Sequence, residues 1–456
     1  MKIKNSKLKI SRILALLVFL ISFSVYVYTL NPSISAADSN EIVTTAIVLG
    51  IPHQPSYPVN TILGHLFSKI PFGTLPWRVN LLSAVLHSLT VTIIYFVALK
   101  LYRLVEDRRQ RTEDRTEKTE DRGQITENPS SILSSAESVL AACAALFLAF
   151  SLEFWQFANR AEVFALNNFF GATLILIIVS WWHKVLEDRR QRAEDGIKKT
   201  EDGKQITENP SSVISLQHQS SAFRHRSSRG LLQKYSYLAK HLPDEARVRF
   251  SAYQPRIAKP KRPKGFSRLW LYLLAFVGGL AFTHHQTIIF TAPAFLFILL
   301  PLYKLWWKKG VIIKLFLCFI LGALPYLSLI PMARANPPVM WGEPRDLVGV
   351  FKALTRADYG TFSPYAQNPS EIEGTKNREE PIDQTIQYFK SLNQDFTFLG
   401  LLLAGLGAFY LFKRKRQVFI FLFLGFFVLG PFFLGFANWT LESGFHQAVA
   451  KRFQML

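Results

Sequence analysis

The sequence is poor in cysteine and in charged residues. Its 456 residues include two cysteines, Cys143 and Cys318, and both lie inside apolar segments. A disulfide framework and a cysteine-based zinc site are therefore excluded. Charged residues make up 19% of the chain and hydrophobic residues 49%, a composition that is too apolar for an ordinary soluble enzyme.

The common motifs of nucleotide and hydrolase chemistry are also absent. The sequence contains no glycine-rich phosphate loop, Rossmann fingerprint, GxSxG elbow or HExxH pair. Nucleotide-dependent chemistry is therefore unsupported. The phosphate of a phosphorylated substrate would have to be bound by arginine and histidine side chains.

The sequence does contain long apolar runs separated by basic segments. The net charge is +21, and because Lys and Arg flank the apolar runs, this charge indicates cytoplasmic loops of a membrane protein and no nucleic-acid partner. We predict an all-α polytopic membrane protein, a bundle of about nine transmembrane helices with short interfacial helices on the outer-face loops. The predicted spans are residues 13–30, 79–101, 139–154, 163–182, 269–282, 288–306, 312–331, 396–412 and 418–437.

The basic residues also predict the orientation of the chain. Five of them precede the first apolar run, and KRKR occupies residues 413–416, so we expect a cytoplasmic N-terminus and an active site on the outer face of a bacterial inner membrane. The predicted segments are residues 1–101 (two spans and the catalytic outer loop), 102–138 (a charged, disordered cytoplasmic repeat), 139–183 (a helical hairpin), 184–268 (a basic, disordered cytoplasmic loop), 269–331 (three spans), 332–395 (an outer loop domain) and 396–456 (the C-terminal spans and a short outer tail).

Two charged segments nearly repeat each other. They begin at Val105 and Leu186 and share the pattern EDRRQR followed by QITENPSS. Their composition cannot bury a core, so we expect disordered chain or frayed helix without chemistry.

The unusual polar residues all fall on the predicted outer side of the membrane. Charged groups at a bilayer boundary are costly unless they are paired or solvated, so their accumulation on one face indicates a shared cavity, although interfacial loops are commonly polar. The candidate site residues are Asp38, Glu41, His53, Tyr57, Arg78, Asn80, Arg160, Glu162, His284, His285, Arg334 and Trp341.

The first of these candidates allow several interpretations. Asp38 and Glu41 are three residues apart and would share one helix face, as a base with a helper, as ligands of a divalent metal, or as a helix cap with a first-turn acid. The three prolines of residues 51–58 would hold His53 and Tyr57 rigidly. His284 and His285 would bind a phosphate or a metal, or form a satisfied interfacial pair.

Several motifs, taken in order, resemble a known family. They are NPSISAADSNEIVTTAIVLGIPHQPSYP, FWQFANRAEVFALN, GGLAFTHHQT and LPYLSLIPMARANPPVMWGEP, followed by ADYG. Together they resemble the transmembrane protein O-mannosyltransferase-like family, whose bacterial members were first catalogued as a domain of unknown function. The resemblance implies a GT-C type glycosyltransferase that transfers a sugar from a polyprenyl-phosphate donor to an acceptor outside the cytoplasm.

The resemblance also implies roles for individual residues. Asp38 would be the general base on the acceptor hydroxyl, and Glu41 stands at the second acidic position of the family. Arg334 or Arg78 would hold the donor phosphate, with Arg160 as a further candidate. The other matching positions are Asn80, Glu162, His284, His285 and Trp341.

The chain departs from the family pattern in two places. HPPGYP is replaced by HQPSYP at residues 53–58, and the chain stops soon after Arg452, which predicts a shortened or split member of the family. We expect a lipid-linked sugar donor, an exported protein or envelope glycan acceptor and membrane lipids as partners. A divalent metal stays open as a cofactor.

Two functions of other classes compete with transfer. A transporter or flippase of lipid-linked glycans would show ionisable residues near span midpoints and inverted repeats, and neither is evident in the sequence. A non-catalytic membrane scaffold is the other alternative, favoured if the altered turn and the early end of the chain have disabled the site.

Overall fold

The computed structural model describes residues 2–35, 38–106, 129–205, 266–359 and 381–437. Within these ranges the chain is helical and contains no strand, and an isolated parallel bridge joins Ile51 to Met340. The predicted all-α polytopic class is confirmed.

Sixteen α-helices are present in the described ranges. They are α1 (Lys2–Tyr28), α2 (Ser39–Val48), α3 (Pro58–Ser68), α4 (Leu75–Glu106), α5 (Pro129–Ala149), α6 (Leu152–Ala158), α7 (Phe164–Gln205), α8 (Phe266–Phe282), α9 (Ala292–Leu299), α10 (Tyr303–Trp306), α11 (Lys309–Ala323), α12 (Leu329–Arg334), α13 (Leu347–Thr355), α14 (Pro381–Arg414), α15 (Arg416–Phe427) and α16 (Phe433–Ala437). Short 3₁₀ turns join several of them, and a π-helical turn, Val428–Phe432, links α15 to α16.

Six helices in the described ranges are long and apolar enough to cross a membrane. These candidate spans are Ile10–Tyr28, Leu75–Val105, Phe164–Arg189, Lys309–Arg334, Ile382–Arg414 and Arg416–Phe436. The bent pair α5 and α6 gives a seventh if it counts as one span, and the apolar helices Arg268–Phe282 and Gln286–Leu302 are shorter. All nine predicted apolar segments are therefore largely helical, and the number of membrane crossings stays a prediction.

Helices α1, α4 and α5 pack around a common core. Small side chains on α5, including Ala145 and Ala149, are fully buried there and allow close helix approach. The hydroxyl of Tyr26 on α1 donates to the carbonyl oxygen of Ala149 at 2.7 Å, and Ser11 and Tyr95 share a buried hydrogen bond of 3.0 Å. This packing fixes the end of α1, from which the candidate loop starts.

The third predicted span, residues 139–154, differs from the observed helix. The structure breaks it before Ser151, which has extended backbone angles, and α6 continues at 71° to α5. The first half of the predicted outer joint, residues 155–162, is consequently helical, and the true connection consists of the few residues before α7.

The predicted outer segment, residues 332–395, contains more helix than expected. Helix α14 begins at Pro381, well before the predicted start of its span at residue 396, and Thr397 interrupts it with φ 59° and ψ 165°. The sequence-based boundary therefore coincides with a break inside one longer helical run. Residues 360–380 of this segment lie outside the described ranges.

The chain divides into two compact units, Met1–His183 with Phe266–Leu456, and Lys184–Gly265. In the second unit, residues 184–205 are helical, so the predicted disordered loop 184–268 begins as helix. Lys184 lies 2.9 Å from Glu187 and 3.5 Å from Asp188, at helical spacings that stabilise such a run. The rest of this loop to residue 265, and residues 107–128 of the first repeat, lie outside the described ranges.

Candidate active site

The start of helix α2 holds both acidic candidates, Asp38 just before the helix and Glu41 in its first turn, and Glu41 does not act as a helix cap. Glu41 accepts the backbone N–H of His53 through Oε1 at 2.7 Å, and its Oε2 lies 2.6 Å from His53 Nδ1. Asp38 occupies the N-cap position, but its side chain makes no capping bond. The capping-box interpretation is therefore wrong for the side chains, because a partner twelve residues away engages Glu41 instead.

The turn between α2 and α3 has a strained backbone. Ser56 donates its N–H to the carbonyl oxygen of His53 at 2.8 Å, and Ser56 and Tyr57 have φ values of 71° and 36°. Residues other than glycine rarely adopt such angles, and strained residues of this kind persist where the surrounding structure holds them. Ser56 stands where the family pattern has glycine. The two hydrogen bonds between His53 and Glu41 help to hold the same turn in this chain.

The other substitution in this turn creates a contact with a distant segment. The Oε1 atom of Gln54 accepts the backbone N–H of Asp358 at 3.1 Å. A glycine with φ 67°, Gly342, lies beside both side chains. Gln54, which replaces a family proline, thus ties the turn to the region after α13.

Tyr57 is the centre of an aromatic cluster. Its ring centroid lies 5.3 Å from that of His53, 5.6 Å from that of His284 and 6.2 Å from that of His285, which stacks on it. The Tyr57 hydroxyl and His53 Nε2 are 3.2 Å apart. Glu41, His53 and Tyr57 therefore form one hydrogen-bonded chain, and the histidine pair, distant in sequence, packs against its end.

The two adjacent histidines are held by structural hydrogen bonds. His284 Nε2 donates to the carbonyl oxygen of Val163 at 2.5 Å, and His285 Nδ1 accepts from the N–H and hydroxyl of Thr287. Burial lowers the pKa of His284 to about 4, and burial together with nearby positive charge lowers the pKa of His285 to about 3. Both rings are neutral at pH 7, which disfavours a cationic phosphate site. The buried Nδ1 atom of His284 has no hydrogen-bond partner among the described residues, so the pair is only partly satisfied.

His53 has the opposite electrostatic character. Burial alone lowers its pKa, but the hydrogen bond to Glu41 and the charges of Glu41 and Asp38 outweigh burial and raise the pKa above 6.5. The His53 and Glu41 side chains are each 19% exposed. The pair is therefore a partly buried hydrogen-bonded contact that becomes an ion pair when His53 is protonated, and Asp38 lies close enough for its charge to act on His53.

Asn80 joins two loops beside the cluster. Its Nδ2 donates to the carbonyl oxygens of Asn31 and Ser33, and its Oδ1 accepts the N–H of Ala161 at 2.7 Å. The loop after α1 is thereby fastened to the connection between α6 and α7. Asn80 is a scaffold residue of the site in this arrangement.

Arg160 and Glu162 lie on that connection. Glu162 is fully buried, and its Oε1 lies 3.7 Å from Arg160 Nε. The Arg160 guanidinium stands 4.2 Å above the ring of Phe157. Phe157 packs in the same core as Tyr57 and Val163. The Arg160–Glu162 pair is therefore connected to the aromatic cluster through Phe157.

The remaining candidates stand apart from the cluster. Arg78 donates to the carbonyl oxygens of Ser68, Phe72 and Gly73 and so closes the turn before α4. Arg334 is exposed and donates to the carbonyl oxygen of Arg345. Trp341 has an exposed side chain, and its backbone N–H donates to Ile51.

Sequence reasoning missed Arg356. Its charge lowers the pKa of both His53 and His285, so its guanidinium acts on the cluster from the side of α13. The only signal in the sequence was its place just before the ADYG motif. No group of three or more His, Cys, Asp or Glu suited to a metal ion occurs in the described part of the chain.

Comparison with known proteins confirms the family resemblance. The family model described as "Protein O-mannosyl-transferase TMEM260 N-terminal domain" matches residues 38–197, a range that begins at Asp38 and contains Glu41, His53, Tyr57 and Glu162. His284, His285, Arg334, Trp341 and Arg356 lie beyond it.

Two curated relatives carry the same name. The Dictyostelium discoideum protein named Protein O-mannosyl-transferase tmem260 is 24% identical over 458 residues, covering 98% of this chain and 43% of the relative. The Mus musculus protein of that name is 26% identical over 157 residues, covering 34% of this chain and 18% of the relative. The chain thus spans less than half the length of these relatives. No solved structure matches it.

Proposed function

We propose that the chain is a GT-C type membrane glycosyltransferase that transfers a mannose-like sugar from a polyprenyl-phosphate donor to a hydroxyl of an exported protein or envelope glycan. One observation supports this proposal most strongly. Glu41, which follows the first apolar helix, lies in a single cluster with His53, Tyr57 and the His284–His285 turn. The charge of Asp38 acts on the His53 of that cluster, and the family match begins at Asp38. The bacterial inner membrane, with the cluster facing outward, is part of the same proposal.

Asp38 acts as the general base in this proposal. The acceptor hydroxyl gives its proton to the Asp38 carboxylate while its oxygen forms a bond to the anomeric carbon of the sugar. The bond from that carbon to the phosphate oxygen breaks, and the polyprenyl phosphate leaves with the electron pair. Direct displacement of this kind inverts the anomeric configuration.

Glu41 has a positioning role, because both its carboxylate oxygens engage His53. By holding the backbone and the ring of His53, it fixes the strained turn and the Tyr57 hydroxyl.

Sugar transfer from radiolabelled polyprenyl-phosphate-mannose to acceptors in isolated membranes tests this function. We expect Asp38→Asn to lower transfer roughly 100-fold or more, because a positioned base contributes about that factor or more. Asp383→Asn is the matched control, since Asp383 is an exposed first-turn acid on α14, and it should transfer at the wild-type rate.

The protein level in the membrane and the melting temperature of each purified variant must equal those of the wild type for this comparison to hold. Transfer by Asp38→Asn within a few-fold of the wild-type rate would remove Asp38 as the base. If no label is transferred from mannose, glucose or N-acetylglucosamine donors by the wild type, the transferase proposal fails.

A further inference from the structure

We propose that Arg356 binds the phosphate group of the lipid-linked donor. The inference deepens the proposed function and rests on it for the identity of the donor. It concerns a residue outside the range of the family match, and it replaces the expectation that Arg78 or Arg334 holds this phosphate.

The backbone around Arg356 is tied to both histidine turns of the site. Two residues before it, the carbonyl oxygen of Leu354 accepts from the side-chain amide of Gln286, the neighbour of His285. Two residues after it, the N–H of Asp358 donates to Gln54, the neighbour of His53. Arg356 is thereby held between the turn that carries His53 and the turn that carries His285.

The helix before Arg356 is packed against the same turn. Val350 and Ala353 of α13 are buried in a cluster with Ile51, Leu329 and Tyr326. Ile51 also pairs through its backbone with the Met340 segment. The end of α13 therefore cannot move without disturbing Ile51, which lies two residues before His53.

Arg356 occupies a backbone position that normally favours glycine. It ends α13 with φ 51° and ψ 46°, and its N–H donates to the carbonyl oxygens of Ala353 and Lys352. Left-handed helix ends are usually glycine because a side chain there is strained. An arginine at this position is explained if its side chain is needed in the site.

The electrostatic evidence agrees with this geometry. The positive charge of Arg356 lowers the pKa of His53 and that of His285, so the guanidinium acts on rings from two separate turns. The neutral histidine pair adds no competing charge there. A guanidinium whose charge acts on both His53 and His285 can bind two non-bridging phosphate oxygens of the donor. It can also stabilise the negative charge that grows on the leaving phosphate.

The other arginines on this side are less suited to the task. The guanidiniums of Arg78 and Arg334 donate to backbone carbonyl oxygens, and that of Arg160 lies on Phe157 beside a buried carboxylate. Each of these interactions stabilises a local turn or connection. Arg356 lies between two residues, Leu354 and Asp358, whose backbone atoms are tethered to the His285 and His53 turns.

Binding of an undecaprenyl phosphate that carries no sugar tests the inference. Arg356→Gly is the informative variant, because glycine fits φ 51° and the helix end should keep its shape. We expect the purified full chain to bind this lipid at least tenfold more weakly after the substitution, as loss of a charged hydrogen bond predicts. Affinity for the uncharged undecaprenol should not change, and the melting temperature should stay equal or rise.

Two further variants make the result decisive. Arg334→Ala removes one charge from an exposed site on the same segment and should bind like the wild type, and Arg356→Lys should bind better than Arg356→Gly because it keeps the charge. Equal affinity of wild type and Arg356→Gly for the phosphate lipid would overturn the inference. A parallel loss of undecaprenol affinity would also overturn it, because the role would then be structural.

The binding assay separates this inference from the proposed function. Asp38→Asn should bind undecaprenyl phosphate normally even though transfer is lost. Binding that depends on Arg356 in a protein without any transferase activity would uphold the phosphate site and refute the enzyme. Transfer that depends on Asp38, together with unchanged lipid binding by Arg356→Gly, would uphold the enzyme and refute the phosphate site.

Discussion

At the scale of single residues, the short distances between Glu41 and His53 decide how the two carboxylates differ. Glu41 uses one oxygen for the His53 backbone and the other for its ring, whereas Asp38 lies at the helix start with a side chain that makes no capping bond. Two acids three residues apart thus make different contacts, and the proposed function gives them separate tasks. Such a division is typical of sites where one carboxylate reacts and another orients.

The first prediction concerns the pKa of His53. Glu41→Gln removes the carboxylate that stabilises the imidazolium, so the pKa of His53 should fall. NMR titration of ring-labelled histidine in detergent-solubilised protein would measure the change, with His53→Gln used to assign the signal. Glu343→Gln, the same change at an exposed acid, should leave the titration unaltered.

The direction of the pH effect on stability follows from the raised pKa. A group whose folded pKa is raised stabilises the fold fully below its ordinary value of 6.5 and loses that contribution as the pH rises through the folded pKa. The melting-temperature difference between wild type and Glu41→Gln should therefore be largest below pH 6.5 and shrink at higher pH. A constant difference would contradict the ion pair.

At the scale of elements, the packing of α8 against α11 positions the histidine turn. A Cβ atom on Gly279 would overlap the carbonyl oxygen of Phe319, and one on Gly322 would overlap that of Phe276. The two glycines therefore allow the helices to touch along their backbones, as in other membrane helix pairs. Since α8 ends at Phe282, the angle of this crossing places His284 and His285.

The second prediction uses two adjacent glycines of α8, Gly278 and Gly279. Gly279→Ala should force the helices apart and destabilise the protein by about 1–3 kcal/mol, and transfer activity should fall with it. Gly278→Ala is the matched control, because nothing lies within 4 Å of the added methyl group. Thermal unfolding of both variants in detergent gives the comparison. Equal melting temperatures would refute the close crossing.

At the scale of the whole molecule, the apolar helices and the flanking bases indicate an integral membrane protein. Six or seven helices of the described ranges satisfy the length and composition of a span. The shorter apolar helices Arg268–Phe282 and Gln286–Leu302 flank the histidine turn. If both cross the membrane, as the nine-span prediction requires, that turn lies on the same face as the loop after α1, in agreement with the contacts of Tyr57 with His53 and His284.

The third prediction tests this orientation by cysteine labelling. In a chain with Cys143 and Cys318 replaced by alanine, Ser33→Cys should react with a membrane-impermeant maleimide in intact bacterial spheroplasts. Lys413→Cys should react only after the membrane is opened, because basic segments stay in the cytoplasm. Both positions are exposed in the structure. The reverse pattern would invert the proposed topology, and labelling of both would refute it.

The amino-acid sequence by itself determined the fold class, the positions of the apolar helices and the acidic pair near the start of the family match. These features are local, because a run of apolar residues predicts a helix, and a motif can be recognised, without knowledge of the tertiary contacts. The sequence also placed His53, Tyr57, His284 and His285 among the candidates. It could not show that their rings meet.

Only the tertiary structure decided which candidates share a site. Glu41 bonds to His53 instead of capping α2, and Arg78 and Arg334 donate to local carbonyl groups. The residues on either side of Arg356, Leu354 and Asp358, bond to Gln286 and Gln54. The contact between Asp358 and Gln54 joins residues about three hundred positions apart. Such pairings depend on how the helices pack, which residue types and spacing along one sequence do not encode.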